Sequence, residues 1–598
     1  MPEQIDAGRL RAALCTALGQ LLDRMHPDGY WKGELSSSAL ATATAVSALA
    51  VNDRDRFGEL IDLGAAWLDE DQNGDGGWGD SPQSPSNLST TLLAVAALTL
   101  AEGARRPRIL AKADDYVSRH AGRSVRERID AITGVYGKDR TFAVPILLNC
   151  AIAGLVPWGQ IPRLPFELAV LPHGLYRFLR LHVVSYALPA LVAIGIALHH
   201  RNPTRNPLSR VARKLTEPGA LRRLEAIQPA SGGFLEATPL TSFVAMSLAS
   251  ASRADHPVTQ KCLDFIVRSA RPDGSWPIDS DLSVWVTTNA LIALDAAGAL
   301  PSINVERTRG WLLDQQHRSV HPYTRAAAGG WAWTHLPGGV PDADDTARAI
   351  LALQRTAARI DLAGCSPARA GEHPAPAVSA ALDWLLRVQN SDGGWPTFCR
   401  GWGKLAFDRS SPDITAHALQ ALTASRRTEL EPRPRSAVRR GVNYLRQGQR
   451  ADGSWVPLWF GNQFTPDKLN PVFGTAAVLP ALCELGELDT AARGITYLIN
   501  GQNPDGGWGG AKGVESSIEE TAAVVSALAQ APEAGETTAA RSRGALYLLR
   551  RIEDGTWCRA TPIGLYFSSL WYSERFYPII WMVEALGRVT GGMRTPNG

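Results

Sequence analysis

The chain has 598 residues, 45% of them hydrophobic and 20% charged, which excludes a disordered or collagen-like protein and allows roughly two to four domains. Its 61 Lys and Arg residues nearly balance 58 Asp and Glu residues, so the net charge of +3 gives no electrostatic case for nucleic-acid binding. The seven cysteines show no C-x-x-C spacing, which argues against a disulfide framework or a zinc cluster.

The N-terminal residues predict a charged helix and not a signal peptide, so we expect a cytoplasmic location. Two later segments, residues 141–161 and 181–200, lack Asp, Glu, Lys and Arg and approach the length of a membrane span. Both contain prolines and polar residues, so we interpret them as buried helices of a large helical core. A true span, or a surface that dips into one leaflet, is the alternative.

A repeat of the form Q-x3-G-x-W runs along the chain. It occurs at residues 72–78, 389–395, 449–455 and 502–508, with Phe in place of Trp at 228–234 and degenerate copies that end at Trp31, Trp276, Trp331 and Trp557. Each copy separates a helix with charged positions from a helix rich in Ala, Val and Leu. Two helices per unit, one more apolar than the other, predict two concentric rings, which is the all-α, α/α toroid architecture.

The segment from Pro341 to Arg348 places three aspartates in four positions at the start of an apolar helix. One interpretation is a helix N-terminus capped by several acidic residues. Crowded carboxylates cannot all ionise cheaply, so at least one should stay protonated near neutral pH and act as a Brønsted acid. Such an acid serves either glycoside hydrolysis or alkene protonation. The preceding Gly-Gly-Trp-Ala-Trp333 adds aromatic faces that stack on sugars or stabilise carbocations.

The repeats together with Asp-Ala-Asp-Asp-Thr-Ala at 342–347 resemble the squalene–hopene cyclases, the class II triterpene cyclases. The resemblance covers nearly the whole chain. It implies a protonation-initiated cyclase of a linear polyprenoid, most simply squalene or a related polyprene, that needs no cofactor and no metal ion. An α/α-toroid glycoside hydrolase, a cyclase of a shorter diterpenoid or meroterpenoid, and a non-catalytic repeat scaffold are the alternatives.

The repeats fall into two sets, which predicts two toroid domains in one chain. We expect residues 1–24 to form an N-terminal helix that joins the catalytic barrel. Residues 25–285 are expected to form an inserted second barrel with a candidate channel or membrane segment. Residues 286–598 are expected to form the catalytic barrel that carries the acid motif.

The resemblance also implies roles for individual residues. Asp344 corresponds to the proton donor, Asp342 and Asp345 would tune it, and His417, in a Thr-Ala-His context, would hydrogen-bond the acid. Trp333 stands where the family usually has a smaller Phe, which predicts an altered extent of cyclisation. The expected substrate contacts are Trp331, Trp333, Phe398, Trp459, Tyr186, Tyr566, Phe567 and Leu240.

The implied partners follow from the implied substrate, which is nearly insoluble in water. We expect a lipophilic polyprenoid drawn from a bilayer, and therefore a peripheral, monotopic protein on the membrane surface with no nucleic-acid partner. Residues 164–181 are the candidate for the apolar membrane-facing patch, and a homodimer is an open alternative to a monomer.

Overall fold

Helices make up nearly all regular structure in the computed structural model, which describes residues 6–102, 105–137, 140–171, 187–362, 374–398, 407–425, 431–566 and 570–592. The described residues contain 22 α-helices, several short 3-10 helices and one two-stranded antiparallel sheet. The helices form two rings of inner helices, each surrounded by outer helices. The prediction of an all-α protein built from two α/α toroids is confirmed.

The first barrel is a closed ring of five inner helices in which the last packs against the first. In order around the ring they are α2 (Ala39–Asn52), α4 (Leu88–Leu100), α7 (Arg140–Ile152), α8 (Leu188–Arg201) and α10 (Thr238–Ser250). The outer helices around them are α3 (Arg54–Glu70), α5 (Pro107–Ala121), α6 (Val125–Tyr136), α9 (Pro207–Ile227) and α11 (Pro257–Ser269). The inner helices are apolar on most faces because both the ring and the outer layer cover them.

The second barrel is a closed ring of six inner helices. They are α12 (Ser283–Ala296), α14 (Ala343–Leu362), α16 (Pro412–Ala424), α18 (Pro471–Glu484), α20 (Ile518–Leu528) and α22 (Tyr577–Gly592). The outer layer consists of α13 (Val305–Asp314), α15 (Pro374–Val388), α17 (Pro432–Gly448), α19 (Leu488–Asn500), α21 (Gly535–Glu553) and the N-terminal helix α1 (Ala7–Leu22). Before α22, strands β1 (Gly564–Tyr566) and β2 (Leu570–Tyr572) pair so that Leu565 faces Trp571.

The repeat motif holds three helices together, as the copy that ends at Trp508 shows. Its indole Nε1–H donates to Leu498 O at 2.7 Å in the preceding outer helix, and its backbone N–H donates to Thr521 Oγ1 at 2.9 Å in the next inner helix. The Gln502 side chain donates to Gly506 O at 2.8 Å and to Ala540 O at 2.9 Å in the next outer helix. Each copy therefore links its own helix pair to the next.

Two copies of the motif close the rings between distant parts of the chain. The backbone N–H of Trp31 donates to Thr287 Oγ1 at 3.0 Å, which joins the first motif to α12 in the second barrel. The backbone N–H of Trp276 donates to Thr42 Oγ1 at 3.0 Å, which joins the last motif of the first barrel to α2. The chain thus enters the first barrel after α1 and returns to the second barrel at α12.

The two apolar segments of the sequence contribute to the inner ring of the first barrel. Their described parts include α7 and α8, in which Val144, Leu148 and Ile194 are fully buried. No helix within the described ranges combines the length and the apolar composition that crossing a bilayer requires. The interpretation of these segments as buried helices therefore agrees with the structure.

We predict that Gln502→Ala lowers the free energy of unfolding by about 1–3 kcal/mol, because two backbone carbonyls lose their donor. The measurement is urea unfolding followed by circular dichroism. Gln315→Ala is the matched control, because the Gln315 amide donates to Trp311 O within its own helix turn and joins no second helix. Equal losses in the two variants would contradict the linking role of the repeat glutamine.

Candidate active site

Asp342 caps the helix that carries the acid motif. Its Oδ1 accepts the backbone N–H of Asp345 at 2.8 Å, and its own N–H donates to Trp331 O at 2.9 Å. Helix α14 begins at the next residue. Asp342 is therefore the residue that caps the helix, as one interpretation of the sequence predicts. Asp344 and Asp345 lie in the first turn of the helix.

The three carboxyl groups of the motif are buried, with 2%, 8% and 5% of Asp342, Asp344 and Asp345 exposed. Burial raises the pKa of Asp342 to about 7, and the charge of Asp344 adds to this effect. Burial, followed by the charge of Asp342, raises the pKa of Asp345 well above its usual range. The protonated form of Asp345 is therefore favoured, as expected for one member of a cluster of carboxyl groups away from water.

His417 approaches the motif from the neighbouring inner helix α16. A hydrogen bond of 2.6 Å joins His417 Nδ1 to Asp344 Oδ1. One turn earlier on α16, Asp413 is 2% exposed and accepts a hydrogen bond from the Ser411 hydroxyl. Burial raises the pKa of Asp413, and the charge of Asp344 raises it further. Two inner helices thus bring four carboxyl groups and one imidazole together.

A cavity of about 600 Å³ lies against the acid motif, and Asp342, Asp344 and Asp345 form part of its wall. The Trp333 and Phe398 rings meet edge to face with centroids 5.9 Å apart. Trp459 is held by its indole N–H, which donates to Thr397 Oγ1 at 2.8 Å. The remaining wall is also largely aromatic: Trp285, Phe460, Tyr566, Tyr572 and Tyr577.

The predicted substrate contacts divide into three groups. Trp333, Phe398, Trp459 and Tyr566 line the same cavity as the three aspartates. Trp331 does not, because it is a fully buried repeat tryptophan whose indole N–H donates to Leu312 O at 2.7 Å in the barrel wall. Leu240 packs partly buried against the core and is absent from the described cavity wall. Tyr186 and Phe567 lie outside the described residues.

The structure also brings in residues that the sequence analysis missed. Asp413 could have been found, because it lies four positions before His417 and so on the same helix face. Trp285, Phe460 and Tyr577 line the cavity from three separate parts of the chain, and no local pattern marks them. Among the described residues, no group of three His, Cys, Asp or Glu side chains is arranged to hold a metal ion.

A second cavity, of about 770 Å³, lies within the inner ring of the second barrel. His417 and Asp413 line it, whereas the three aspartates of the motif line only the aromatic cavity. Its wall includes charged side chains, among them Arg588, which contacts Glu584 at 3.0 Å. The bond between His417 and Asp344 therefore joins the aromatic cavity to a cavity that also carries charged side chains.

Comparison with known proteins identifies relatives along the whole chain. The family models for the squalene-hopene cyclase N-terminal and C-terminal domains match residues 14–226 and 282–590. The squalene–hopene cyclase of Alicyclobacillus acidocaldarius is 26% identical over 646 residues, which cover 85% of this chain and 94% of that protein. Enfumafungin synthase of Hormonema carpetanum is 26% identical over 595 residues, covering 84% of this chain and 42% of that much longer protein.

A solved structure shares the architecture of the entire chain. The ent-copalyl diphosphate synthase of Streptomyces platensis matches with a TM-score of 0.57 at 19% identity, covering 98% of this chain and 100% of that one. This likeness supports the two-barrel fold. Because the C-terminal family model alone covers more than half of the chain, and a second model covers most of the rest, the protein belongs to the squalene–hopene cyclase family of class II terpene cyclases.

Proposed function

We propose that this protein cyclises a neutral linear polyprenoid, squalene or a related polyprene, by protonating its terminal alkene. The observation that carries the proposal is the 2.6 Å hydrogen bond between His417 and Asp344 at the wall of an aromatic cavity. In this arrangement a buried acid has a hydrogen-bond partner on one side and room for an apolar chain on the other.

The first step is a proton transfer from the Asp344 carboxyl group to one carbon of the alkene. The π electrons form the new C–H bond, the other carbon becomes a tertiary cation, and the next π bond of the chain attacks it. His417 Nδ1 bonds to the same carboxyl group, so it stabilises the carboxylate that remains. Burial favours the protonated forms of Asp342 and Asp345, which limits the negative charge around the donor.

The aromatic wall stabilises the cations that follow. A ring face in a desolvated site attracts a cation by about 2 kcal/mol. Trp333, Phe398 and Trp459 occupy one part of the cavity, and Phe460 and Tyr577 another. A water-poor cavity of this kind also keeps water from ending the cascade at an early cation. Folding the polyene against a fixed wall removes conformational freedom before the reaction begins.

The charges in the cavity wall favour a neutral substrate over a diphosphate ester. Among the described residues that line the cavity there are three carboxyl groups and no Lys or Arg. A diphosphate is bound by cations, and the described part of this wall provides none. A glycoside hydrolase is also disfavoured, because a sugar needs polar partners and this wall is mainly aromatic. A shorter neutral diterpenoid or meroterpenoid differs from squalene only in length and end group, so the substrate panel below separates them.

The proton that Asp344 donates must be replaced after each turnover. The aromatic cavity cannot supply it without admitting water. His417 borders the second cavity, inside the second barrel, together with Asp413 and several charged side chains. The replacement proton therefore reaches Asp344 from that side, through the imidazole, while the aromatic cavity stays dry.

An apolar surface on the first barrel supports attachment to a bilayer. Leu208, Val211 and Leu215 lie on one face of α9 and are 80%, 57% and 75% exposed. The 3-10 helix at Phe166–Val170 packs beside α9, and Leu168 there is 46% exposed. This segment belongs to the candidate patch at residues 164–181, of which 172–181 lie outside the described residues.

Exposed cations flank this apolar face: Arg205, Arg210 and Lys214. Basic side chains beside an apolar helix face match an anionic membrane surface. We therefore extend the proposal to a monotopic protein that takes its substrate from the bilayer. Sedimentation of the purified protein also measures whether it acts as a monomer or as a homodimer.

We predict that Asp344→Asn abolishes product formation, by about 10²–10⁴-fold or more, because the amide has the same shape and no transferable proton. Purified protein in detergent is incubated with squalene, oxidosqualene, shorter neutral polyprenes and geranylgeranyl diphosphate, and products are read by gas chromatography with mass detection. Asp62→Asn, an exposed site on α3, is the control for the substitution itself. Near-normal turnover of folded Asp344→Asn would show that another residue is the acid.

We predict that the rate falls as the pH rises through about 7, because Asp342 then loses its proton. The new negative charge beside Asp344 holds the donor proton more tightly and slows its transfer. In Asp342→Asn the charge cannot form, so its residual activity should stay level through this range. The measurement is initial rate against pH, with circular dichroism at each pH to confirm folding. A wild-type rate that stays constant or increases above pH 7 would contradict this reading.

We predict that the triple variant Leu208→Ser, Val211→Ser and Leu215→Ser binds anionic lipid vesicles roughly tenfold more weakly or worse, because three exposed aliphatic side chains no longer insert. Co-sedimentation with vesicles of phosphatidylcholine and phosphatidylglycerol measures the binding. Turnover in detergent should be unchanged.

The matched control replaces three exposed apolar residues that do not lie together: Val135, Val320 and Leu488, which are 59%, 54% and 51% exposed. This control should bind vesicles as the wild type does. Equal loss in both triple variants, or no loss in either, would remove the case for α9 as the membrane-facing surface.

A further inference from the structure

Two aromatic side chains of the cavity wall are held by one buried oxygen atom. The indole Nε1–H of Trp333 donates to Asp279 Oδ2 at 3.1 Å, and the hydroxyl of Tyr566 donates to the same oxygen at 2.9 Å. Asp279 is fully buried, and both aromatic side chains line the cavity. These three residues come from the segment before α12, the segment before α14 and strand β1, so the carboxyl group joins distant parts of the chain.

The environment of Asp279 is built by both barrels. Its backbone pairs with Ala237, which belongs to the first barrel, as an isolated β-bridge. Next to Ala237, Glu236 accepts the backbone N–H of Gly338 at 2.7 Å in the second barrel. Asp281 accepts the Thr334 hydroxyl at 2.7 Å. The Asp279 carboxyl is therefore held in a seam between the barrels, directly behind the cavity wall.

The surroundings of the Asp279 carboxyl favour its neutral form. Burial raises its pKa well above the usual range, and the charges of Glu236 and Asp281 raise it further. Oδ2 accepts both hydrogen bonds, and Oδ1 has no hydrogen-bond partner among the described residues. A neutral carboxyl group fixes two donors without adding a charge that would compete with the aromatic rings for a cation.

The orientation of an aromatic ring decides what it can do for a cation. The face of the ring attracts positive charge, whereas the edge repels it. Trp333 already presents an edge-to-face contact to Phe398, and its backbone carbonyl accepts the N–H of Val284 at 2.9 Å. The bond to Asp279 anchors the remaining end of the indole. The same carboxyl oxygen fixes the direction of the Tyr566 hydroxyl.

We propose that Asp279 is a positioning residue that locks Trp333 and Tyr566 against the folded polyene and thereby determines the cation at which the cascade ends. This inference rests on the proposed function and adds a specificity determinant to it. Asp279 touches the rings and not the alkene, so it controls which product forms more than how fast the first proton is transferred.

The variants Asp279→Asn and Asp279→Leu test whether Asp279 acts by positioning the two rings or by carrying a negative charge. The asparagine carbonyl oxygen can accept both hydrogen bonds, whereas leucine removes the acceptor with little change of volume. We expect Asp279→Asn to retain the wild-type product ratio. We expect Asp279→Leu to change the ratio of cyclisation products by about tenfold, while total turnover changes less. Loss of the wild-type ratio in both variants would instead assign the role to a negative charge and overturn the proposal.

Removing each donor, alone and together with the acceptor, provides a second test. Trp333→Phe and Tyr566→Phe should shift the product ratio. Tyr566→Phe combined with Asp279→Leu should shift it no further than Asp279→Leu alone, because Asp279→Leu already breaks the bond that Tyr566→Phe removes. Asp281→Leu is the matched control at a carboxyl that is equally buried and bonds neither ring. Additive shifts, or an unchanged ratio in folded Asp279→Leu, would overturn the proposal.

A spectroscopic reading distinguishes failure of this inference from failure of the proposed function. The protein is labelled with 5-fluorotryptophan, and the Trp333 fluorine signal is assigned from its loss in Trp333→Phe. The signal should be single and narrow in the wild type and in Asp279→Asn, and shifted or broadened in Asp279→Leu. An unchanged signal in Asp279→Leu overturns the positioning role whatever the substrate is. A wild type that cyclises no member of the panel contradicts the proposed function only.

Discussion

The site in the second barrel depends on carboxyl groups that are buried at the N-termini of its parallel inner helices. Five of the six inner helices are followed by an outer helix that returns, so the first turns of the inner helices gather at the cavity end. Their combined dipoles make that end positive, which disfavours a cation. Acidic residues occupy these turns: Asp344 and Asp345 on α14, Asp413 on α16, and Glu519 and Glu520 on α20. Burial raises the pKa of Glu519 to about 8 and of Glu520 to about 7, so the protonated forms of these two carboxyl groups are favoured.

This arrangement of the inner helices places Asp344, the proposed acid, at the aromatic cavity and its partner His417 at the second cavity. The aromatic cavity requires dryness, because water would intercept a carbocation. An acid that must be reprotonated also requires contact with a polar region. In the proposed mechanism the inner ring of the second barrel meets both needs: Asp344 lines the aromatic cavity, and His417, bonded to it, lines the second cavity with its charged side chains.

The first barrel contributes to the site although none of the motif aspartates belongs to it. Glu236 reaches across to the backbone of Gly338, three positions before Pro341, and Ala237 pairs with Asp279 behind the cavity wall. A Cβ atom at position 338 would lie 2.6 Å from Glu236 Oε1, so glycine is required for this close approach. The seam between the barrels therefore sets the position of Trp333, which stands between Asp279 and Asp342 in the chain.

The sequence by itself determined the helical repeat, the two toroids and the acid motif, because these depend on short-range patterns: the Gln-to-Trp spacing, apolar helices and clustered aspartates. It also placed His417 beside the acid through the family resemblance. It did not separate Trp333, which lines the cavity, from Trp331, which is buried in the wall two positions earlier. Nor did it reveal Asp279 or Tyr577. Only the tertiary structure decided which of these side chains reach the cavity. Closure of the helical rings brings together side chains that are hundreds of positions apart, and it also sets whether each one points into the cavity or into the barrel wall.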